Sequence, residues 1–480
     1  MKELPQVYLH SMQRLLEGEF AAFLQACLAP ATTGLRANTL KLSPQDLLSR
    51  LPYELSPVPW CPDGFRLTGE PGLPPPGRNP YHAAGLYYLQ EPSGMAVAEL
   101  LDPQPGERIL DLCAAPGGKS THLTARMGDD GLLIANETHP KRVWELVENL
   151  ERWGAHHVMI TNESPNRLAE RLPGFFDRVL VDAPCSGEGM FRQSEAARRD
   201  GSPELVRSCA LRQSAILEAG ARLTRPGGVL GYSTCTFNPQ ENEGMLAGFL
   251  QEHPDFELVQ PAQHRGLSPG HPEWAGGTQA QLLERAIRIW PHLAAGEGHF
   301  FAAMRRAAAG PMRANGPNRR KITRRARAAA TLSAEARKAF ADFCQAQLSL
   351  PAQATFPEQG LVQVGENLYL AAPDAPDLEG LHVIRAGWWL GVMHASQIGR
   401  GYRFEPSQAL AMGLKAGDAR RKLDLEATSA QVSQYLRGEV LEWKGEDGWV
   451  LVCVDGFPLG WGRGVQGKLK NHYPRGLRWA

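Results

Sequence analysis

Two cysteines of this 480-residue chain stand where a thiol is placed to do chemistry. Cys185 lies in Val181-Asp182-Ala183-Pro184-Cys185-Ser186-Gly187, and Cys235 in Tyr232-Ser233-Thr234-Cys235-Thr236. A cysteine is most often a small buried hydrophobe. These two sit in polar, turn-rich surroundings at the ends of apolar runs of strand length, which is unusual for core. In an open α/β sheet, ligands bind at the carboxyl ends of the strands. Both thiols are therefore expected to face one cleft. A thiolate there is a nucleophile for covalent catalysis, provided its surroundings lower the free thiol pKa of about 8.5.

The elements that must position them are legible as alternating strands and helices. Strand candidates are 108–113 (RILDLC), 132–137 (LLIANE), 157–161 (HVMIT), 178–184 (RVLVDAP) and 228–236 (GVLGYSTCT). Near-continuous apolar runs separated by helical stretches predict a doubly wound, Rossmann-like α/β sheet over residues 86–308, with 299–306 (HFFAAMRR) as a last, edge strand. Before it, residues 1–85 read as a small α+β region: FAAFLQACL has helical spacing, and LRANTLKLSPQDLLSRL reads as strand, turn and helix with Ser43 as the N-cap. Residues 309–334 read as a basic linker, the run from Arg305 to Arg327 holding nine arginines and lysines and no acid. Residues 335–480 open with a helix (SAEARKAFADFCQAQL) and continue as short apolar runs, predicting a small β-rich domain.

The first strand leads into Asp111-Leu-Cys-Ala-Ala-Pro-Gly-Gly-Lys-Ser120. A Gly-rich turn between strand and helix lets backbone approach a ligand closely. The spacing matches neither GxGxxG nor a P-loop. The second strand ends at Glu137, placed to accept hydrogen bonds from ribose hydroxyls. A Gly loop and a ribose acid without a pyrophosphate fingerprint favour S-adenosylmethionine over a dinucleotide. After the third strand, Asn162 is the candidate for the adenine edge.

A methyl donor beside two thiols suggests a target too weak to attack the methyl unaided. Carbon 5 of a pyrimidine is one. A thiolate added to carbon 6 makes the ring enamine-like, carbon 5 attacks the methyl, a base removes the carbon-5 proton, and elimination frees the thiolate. Lys119 would assist electrostatically. The attack puts negative charge on the ring. Asp182 is placed to contact ring nitrogen 3 and the amino group if it is protonated, the form that burial favours. The target base must leave its stack.

Taken together, DLCAAPGGKS, LVDAPCSGEGMF and YSTCTFNPQENE resemble the RNA cytosine-5 methyltransferases of the RsmB, RsmF and Sun-type family. The match covers at least residues 30–306, with GLRANTLKL and GLYYLQEPSGM similar to the family's leading region, which is expected to be RNA-binding and ferredoxin-like. The length of the C-terminal extension and the ending LKNHYPRGLRW are most similar to the RsmF branch. The resemblance implies that Cys235 is the nucleophile and that Cys185 assists product release. It implies cofactor contacts from Cys113, Ala114, Ala115, Pro116, Gly117, Gly118, Lys119, Glu137 and Asp182. A gapless match puts Ser164 at the third-strand contact, where Asn162 also fits. It further implies small-subunit (16S) ribosomal RNA, naked or in the assembled 30S subunit, as partner, and a C-terminal PUA-like module. Lys468, Lys470, His472, Arg475 and Arg478 would then form a basic RNA-facing tail.

Composition agrees with that expectation. Formal charge is zero, so only the distribution of charge can mark an anionic partner. The eight cysteines form no CxxC pair, and no metal site is expected. No apolar run reaches membrane-spanning length, and no long h-region follows the N-terminus. A cytoplasmic, monomeric protein with reduced thiols is expected. Two rival readings compete. A DNA cytosine-5 methyltransferase would take its nucleophile from the Pro-Cys motif, and a non-catalytic ribosome assembly factor would need no cofactor.

Overall fold

A computed structural model describes residues 4–69, 72–262, 264–275, 280–308, 332–395 and 401–479. Most of the expected basic linker lies outside the described residues. The leading region holds strands β1 (Gly34–Ala37), β2 (Leu55–Val58), β3 (Cys61–Leu67) and β4 (Tyr87–Leu89), joined as an antiparallel sheet in the order β2-β3-β1-β4. Ser43 caps the Pro44–Arg50 helix, its hydroxyl oxygen accepting the Asp46 N–H at 3.1 Å. That bond satisfies a donor that the first helical turn leaves free.

The second unit is built on β5 (Arg108–Asp111), β6 (Leu132–Asn136), β7 (Val158–Thr161), β8 (Phe176–Asp182) and β9 (Thr224–Thr234). They run parallel in the spatial order β9-β8-β5-β6-β7. All five residues of β6 are buried, as expected where helices cover both faces. Short strands β10 (Phe256–Leu258), β11 (Leu267–Pro269) and β12 (Ile287–Ile289) precede β13 (His299–Arg306). The β13 run was expected at an edge. It lies inside the sheet instead, antiparallel to β9 on one side and to β12 and β10 on the other. Its first six residues are buried, the pattern of an interior strand.

The C-terminal region carries two sheets where one small domain was expected. Strands β14 (Leu361–Val364), β15 (Asn367–Leu370), β16 (Val383–Arg385), β17 (Trp388–Ala395) and β18 (Tyr402–Pro406) come first, and β14-β15-β17-β18 make a sheet. The exception, β16, crosses to the sheet of the second unit and pairs antiparallel with β7. Arg385 then reaches Glu151 at 2.7 Å on the helix beside it. The last sheet is formed by β19 (Lys422–Leu425), β20 (Leu441–Glu442), β21 (Gly448–Val454), β22 (Phe457–Val465) and β23 (Lys468–Asn471), in the order β19-β21-β22-β23-β20. Its apolar face shares one core with the leading region: Leu35, Leu47, Tyr81 and Leu86 pack with Val450, Val452, Leu459 and Leu469. Among the described residues, no helix is long and apolar enough to cross a membrane.

Candidate active site

Strands β5, β6, β8 and β9 all end at the same rim, and the chemistry-bearing side chains gather there. Gly117, with φ of +113°, turns the chain from β5 into the Gly118–Met127 helix. A side chain at that φ would be strained, and a Cβ would sit 3.3 Å from both Leu146 and Asn149. The loop is held from outside. Arg142 donates to the Ala115 carbonyl at 2.7 Å, and Asn149 donates to the Pro116 carbonyl at 2.8 Å. Arg36 of the leading region, fully buried, donates to the Gly118 carbonyl and to the Thr121 hydroxyl. Backbone held from both sides is suited to close contact with a ligand.

Asp111 ends β5 and is completely buried. Ser120 donates to its Oδ2 at 2.6 Å, while Oδ1 has no partner. Burial, aided by the Asp182 charge, pushes its carboxyl up to about 7. Glu137 follows β6 directly and is buried, with Oε1 accepting the His139 N–H at 2.8 Å and Arg142 at 3.6 Å from Oε2. Asn162, after β7, donates to the Glu137 carbonyl at 2.6 Å. Of the two residues left open at this position, Asn162 flanks Glu137. Ser164 is exposed, and its hydroxyl caps the Pro165–Arg171 helix through the Arg167 N–H. Cys113 faces the same rim, its thiol pushed well up by burial.

The two thiols meet: Cys185 Sγ and Cys235 Sγ are 3.3 Å apart. Their loops are stitched together. The Gly189 N–H donates to the Cys235 carbonyl at 2.9 Å, and the Ser186 and Thr236 hydroxyls are 2.8 Å apart. The Ser186 N–H donates to both oxygens of buried Glu241. The contact with Cys235, and then burial, raises the Cys185 thiol well above its usual range. Cys185 is thus held as a protonated thiol beside Cys235.

Lys119 Nζ lies 2.8 Å from Asp182 Oδ2, and the Ser233 hydroxyl donates to Oδ1 at 3.0 Å. Burial alone would raise the Asp182 carboxyl. Lys119 and then His299 outweigh it and hold Asp182 well below the usual carboxylate range. This corrects the expectation of a protonated Asp182: the side chain is an ionised acceptor and has no proton to donate. For Lys119, burial works against the charge, but Asp182 raises its pKa overall. The ammonium is therefore retained close to the thiols.

The structure brings together Cys185, Cys235, Asp182 and Lys119 at one rim, with the loop 113–119, Glu137 and Asn162 beside them. Sequence reasoning missed Asp111, Ser233, Glu241 and His299. Three of these lay inside the motifs quoted for their neighbours. His299 carried no motif at all. Near the C-terminus, Lys468, Lys470, His472 and Arg475 are exposed. Arg478 does not join them. It is half-buried, and its guanidinium donates to the Tyr473 carbonyl at 3.2–3.3 Å.

Comparison with known proteins supplies a context for this geometry. The family model of the 16S rRNA methyltransferase RsmB/F matches residues 98–305. Models of the N-terminal domain of 16S rRNA methyltransferase RsmF, of the RsmF rRNA methyltransferase first C-terminal domain and of the methyltransferase RsmF PUA domain match 4–92, 342–414 and 422–479. Proteins named ribosomal RNA small subunit methyltransferase F are similar over nearly the whole chain. The one from Klebsiella pneumoniae is 33% identical, covering 98% of this chain and 96% of the relative, and the one from Erwinia tasmaniensis is 31% identical with the same coverage. Among solved structures, a methyltransferase homolog from Pyrococcus horikoshii is 31% identical, with a TM-score of 0.55 over 63% of this chain and 95% of its own.

Proposed function

Because this chain belongs to the RsmB/F family of 16S rRNA methyltransferases, we propose that it methylates carbon 5 of a cytosine in small-subunit ribosomal RNA, with Cys235 bonded covalently to carbon 6. The observation that carries this reading is the pair of thiols 3.3 Å apart beside the Lys119–Asp182 ion pair. A methyltransferase acting on an oxygen or an amine needs no such pair. A carbon that is a poor nucleophile needs covalent activation, which a thiol supplies.

S-adenosylmethionine supplies the electrophilic methyl group. The residues present fit it. Glu137 offers a buried carboxylate, Asp111 an unpartnered buried oxygen, and residues 113–119 a clamped backbone loop. Asn162 stands beside Glu137 for the adenine edge. The flipped cytosine enters between this loop and the thiols. Lys119 stabilises the Cys235 thiolate, and Asp182 accepts from the exocyclic amino group. Cys185, kept as a thiol, is positioned to assist release of the product. The exposed basic face on β23 meets phosphates, in naked RNA or in the assembled subunit.

The test separates the two cysteines. Cys185→Ala is expected to accumulate a protein–RNA adduct that survives a denaturing gel. Cys235→Ala is expected to form no adduct and transfer no methyl group. An active Cys235→Ala variant would instead favour the Pro-Cys nucleophile of the DNA enzymes. Absence of both cofactor binding and transfer in the native protein would favour an assembly factor.

A further inference from the structure

An ionised Asp182 leaves part of the proposed reaction without a donor. Thiolate attack at carbon 6 drives electrons onto ring nitrogen 3, and a carboxylate cannot offer that nitrogen a hydrogen. The structure holds another group that can. His299 begins β13 and is only 5% exposed. Phe300 pairs with Thr234 in the β9–β13 ladder, so His299 and Cys235 are the next residues toward the cleft on the two strands. Nδ1 of His299 lies 3.1 Å from the Gly298 carbonyl, a contact in which the nitrogen must be the donor. Nε2 is buried, has no hydrogen-bond partner, and stands 3.9 Å from Asp182 Oδ1. A buried nitrogen without a hydrogen bond is costly and calls for an explanation, and a catalytic role is one.

We propose that His299 is a further catalytic residue, acting as an imidazolium that donates its Nε2 proton to nitrogen 3 of the target cytosine while Asp182 accepts from the neighbouring amino group. The inference rests on the covalent reading above. With Nδ1–H turned to Gly298, Nε2 is a donor only in the doubly protonated ring. The groups facing it suit that form. Glu91, ahead of the Pro92–Leu101 helix, has Oε1 3.8 Å from Nδ1, and Asp182 on β8 faces Nε2. Lys119 is bound to the far oxygen of Asp182, Glu297 is bound by Arg192, and the Cys235 and Cys185 thiols lie across the rim. The separation of Oδ1 and Nε2 suits two neighbouring atoms of one base edge, each at hydrogen-bond length.

The step balances. As Cys235 sulfur bonds to carbon 6, the C5–C6 π pair becomes a C4–C5 double bond. The C4–N3 π pair moves to nitrogen 3 and takes the Nε2 proton, leaving a neutral imidazole and a neutral enamine. After carbon 5 has gained the methyl and lost its proton, elimination reverses the shift. The proton returns to His299, and the C6–S bond breaks to give back the thiolate. Uracil is excluded, because its N3–H and O4 oppose both contacts.

The test follows covalent addition directly, using full-length protein and small-subunit rRNA made with 5-fluorocytidine. With S-adenosylmethionine added, carbon 5 takes the methyl and then holds fluorine where a removable proton would be, so elimination is blocked and the adduct persists. His299→Ala is expected to slow adduct formation by roughly a hundredfold, in the range of general acid catalysis. His299→Gln, which keeps a donor but no transferable proton, should be slowed less. Binding of S-adenosylhomocysteine should be unchanged in both, which shows that the fold and the cofactor site survive. Near-native adduct formation by His299→Ala, or a loss in His299→Gln as large as in His299→Ala, would overturn the proposal. Lost cofactor binding in both variants would also count against it, by making His299 structural. If the native protein itself forms no adduct, the covalent reading fails first.

Discussion

Among the described residues, two clusters bring together a cysteine, a carboxylate, a histidine and a cation, and one of them is placed to react. At the rim of the catalytic sheet, Cys235, Asp182 and His299 sit at strand ends and Lys119 in the first turn of the Gly118–Met127 helix, with the two thiols only partly buried. Behind the sheet, Cys61, Glu99 and His122 bring their ligand atoms within 4.8 Å of one another. There His122 is completely buried and lies 2.8 Å from Glu99, whose charge is also met by Arg126 at 3.5 Å. Burial pushes the Cys61 thiol far up and the His122 imidazole well down, so both stay neutral. Glu99, shared between His122 and the Arg126 guanidinium, ties this cluster into a hydrogen-bonded core. Residue types do not make a site. Access to a cleft and a retained opposite charge do.

The sharpest way to break that comparison is to exchange cysteines. Cys235→Ala should lower methyl transfer by at least ~10³-fold, as loss of a covalent nucleophile does. Cys61→Ala should leave the rate per folded molecule unaltered and cost about 1 kcal/mol of stability. Next come the carboxylates. Asp182→Asn should reduce transfer by ~10²-fold, because Lys119 loses its partner where charge develops. Glu99→Gln should instead lower the melting temperature, leaving a buried pair broken at a cost of about 1–3 kcal/mol. Thermal unfolding and single-turnover transfer on the same samples separate the two outcomes.

Asp111 sharpens the contrast further, because it joins burial to the site. Its folded carboxyl is raised to about 7, so folding favours the protonated form. That contribution is complete below the ordinary aspartate range and is lost as pH rises toward 7. Above 7 the folded protein carries a buried charge at a cost on the order of 2–4 kcal/mol. Asp111→Asn should therefore melt higher than the native protein at pH 8, with the gap closing by pH 4, while its cofactor affinity falls. The smallest effect is expected on the basic strand β23. Lys470→Ala should weaken RNA binding modestly and reduce the salt-dependence slope by about 1. Titration at several salt concentrations measures it.

Much of the catalytic unit was legible because its strands are apolar on both faces and its loops carry chemistry in contiguous motifs. Cys185, Cys235, Lys119 and Glu137 were each readable from the turn that follows a strand. What could not be read depends on contacts distant in sequence. The charge state of Asp182 follows from Lys119, His299 and Ser233, which lie on three other elements. The interior place of β13 follows from β12 and β10, too short to signal themselves. Strand β16 reaches the catalytic sheet from residues that read as part of another domain, since register between remote segments leaves no local pattern. Arg478 looked like its basic neighbours until the turn at Tyr473 drew it inward.

The most direct test of the central claim is to locate the covalent bond. The protein is reacted with 5-fluorocytidine-substituted small-subunit rRNA in the presence of S-adenosylmethionine, digested, and the modified peptide sequenced by mass spectrometry. A methylated fluorocytosine on the peptide carrying Cys235 is the predicted result. The same adduct on the peptide carrying Cys185 would reverse the roles of the two thiols and contradict the account.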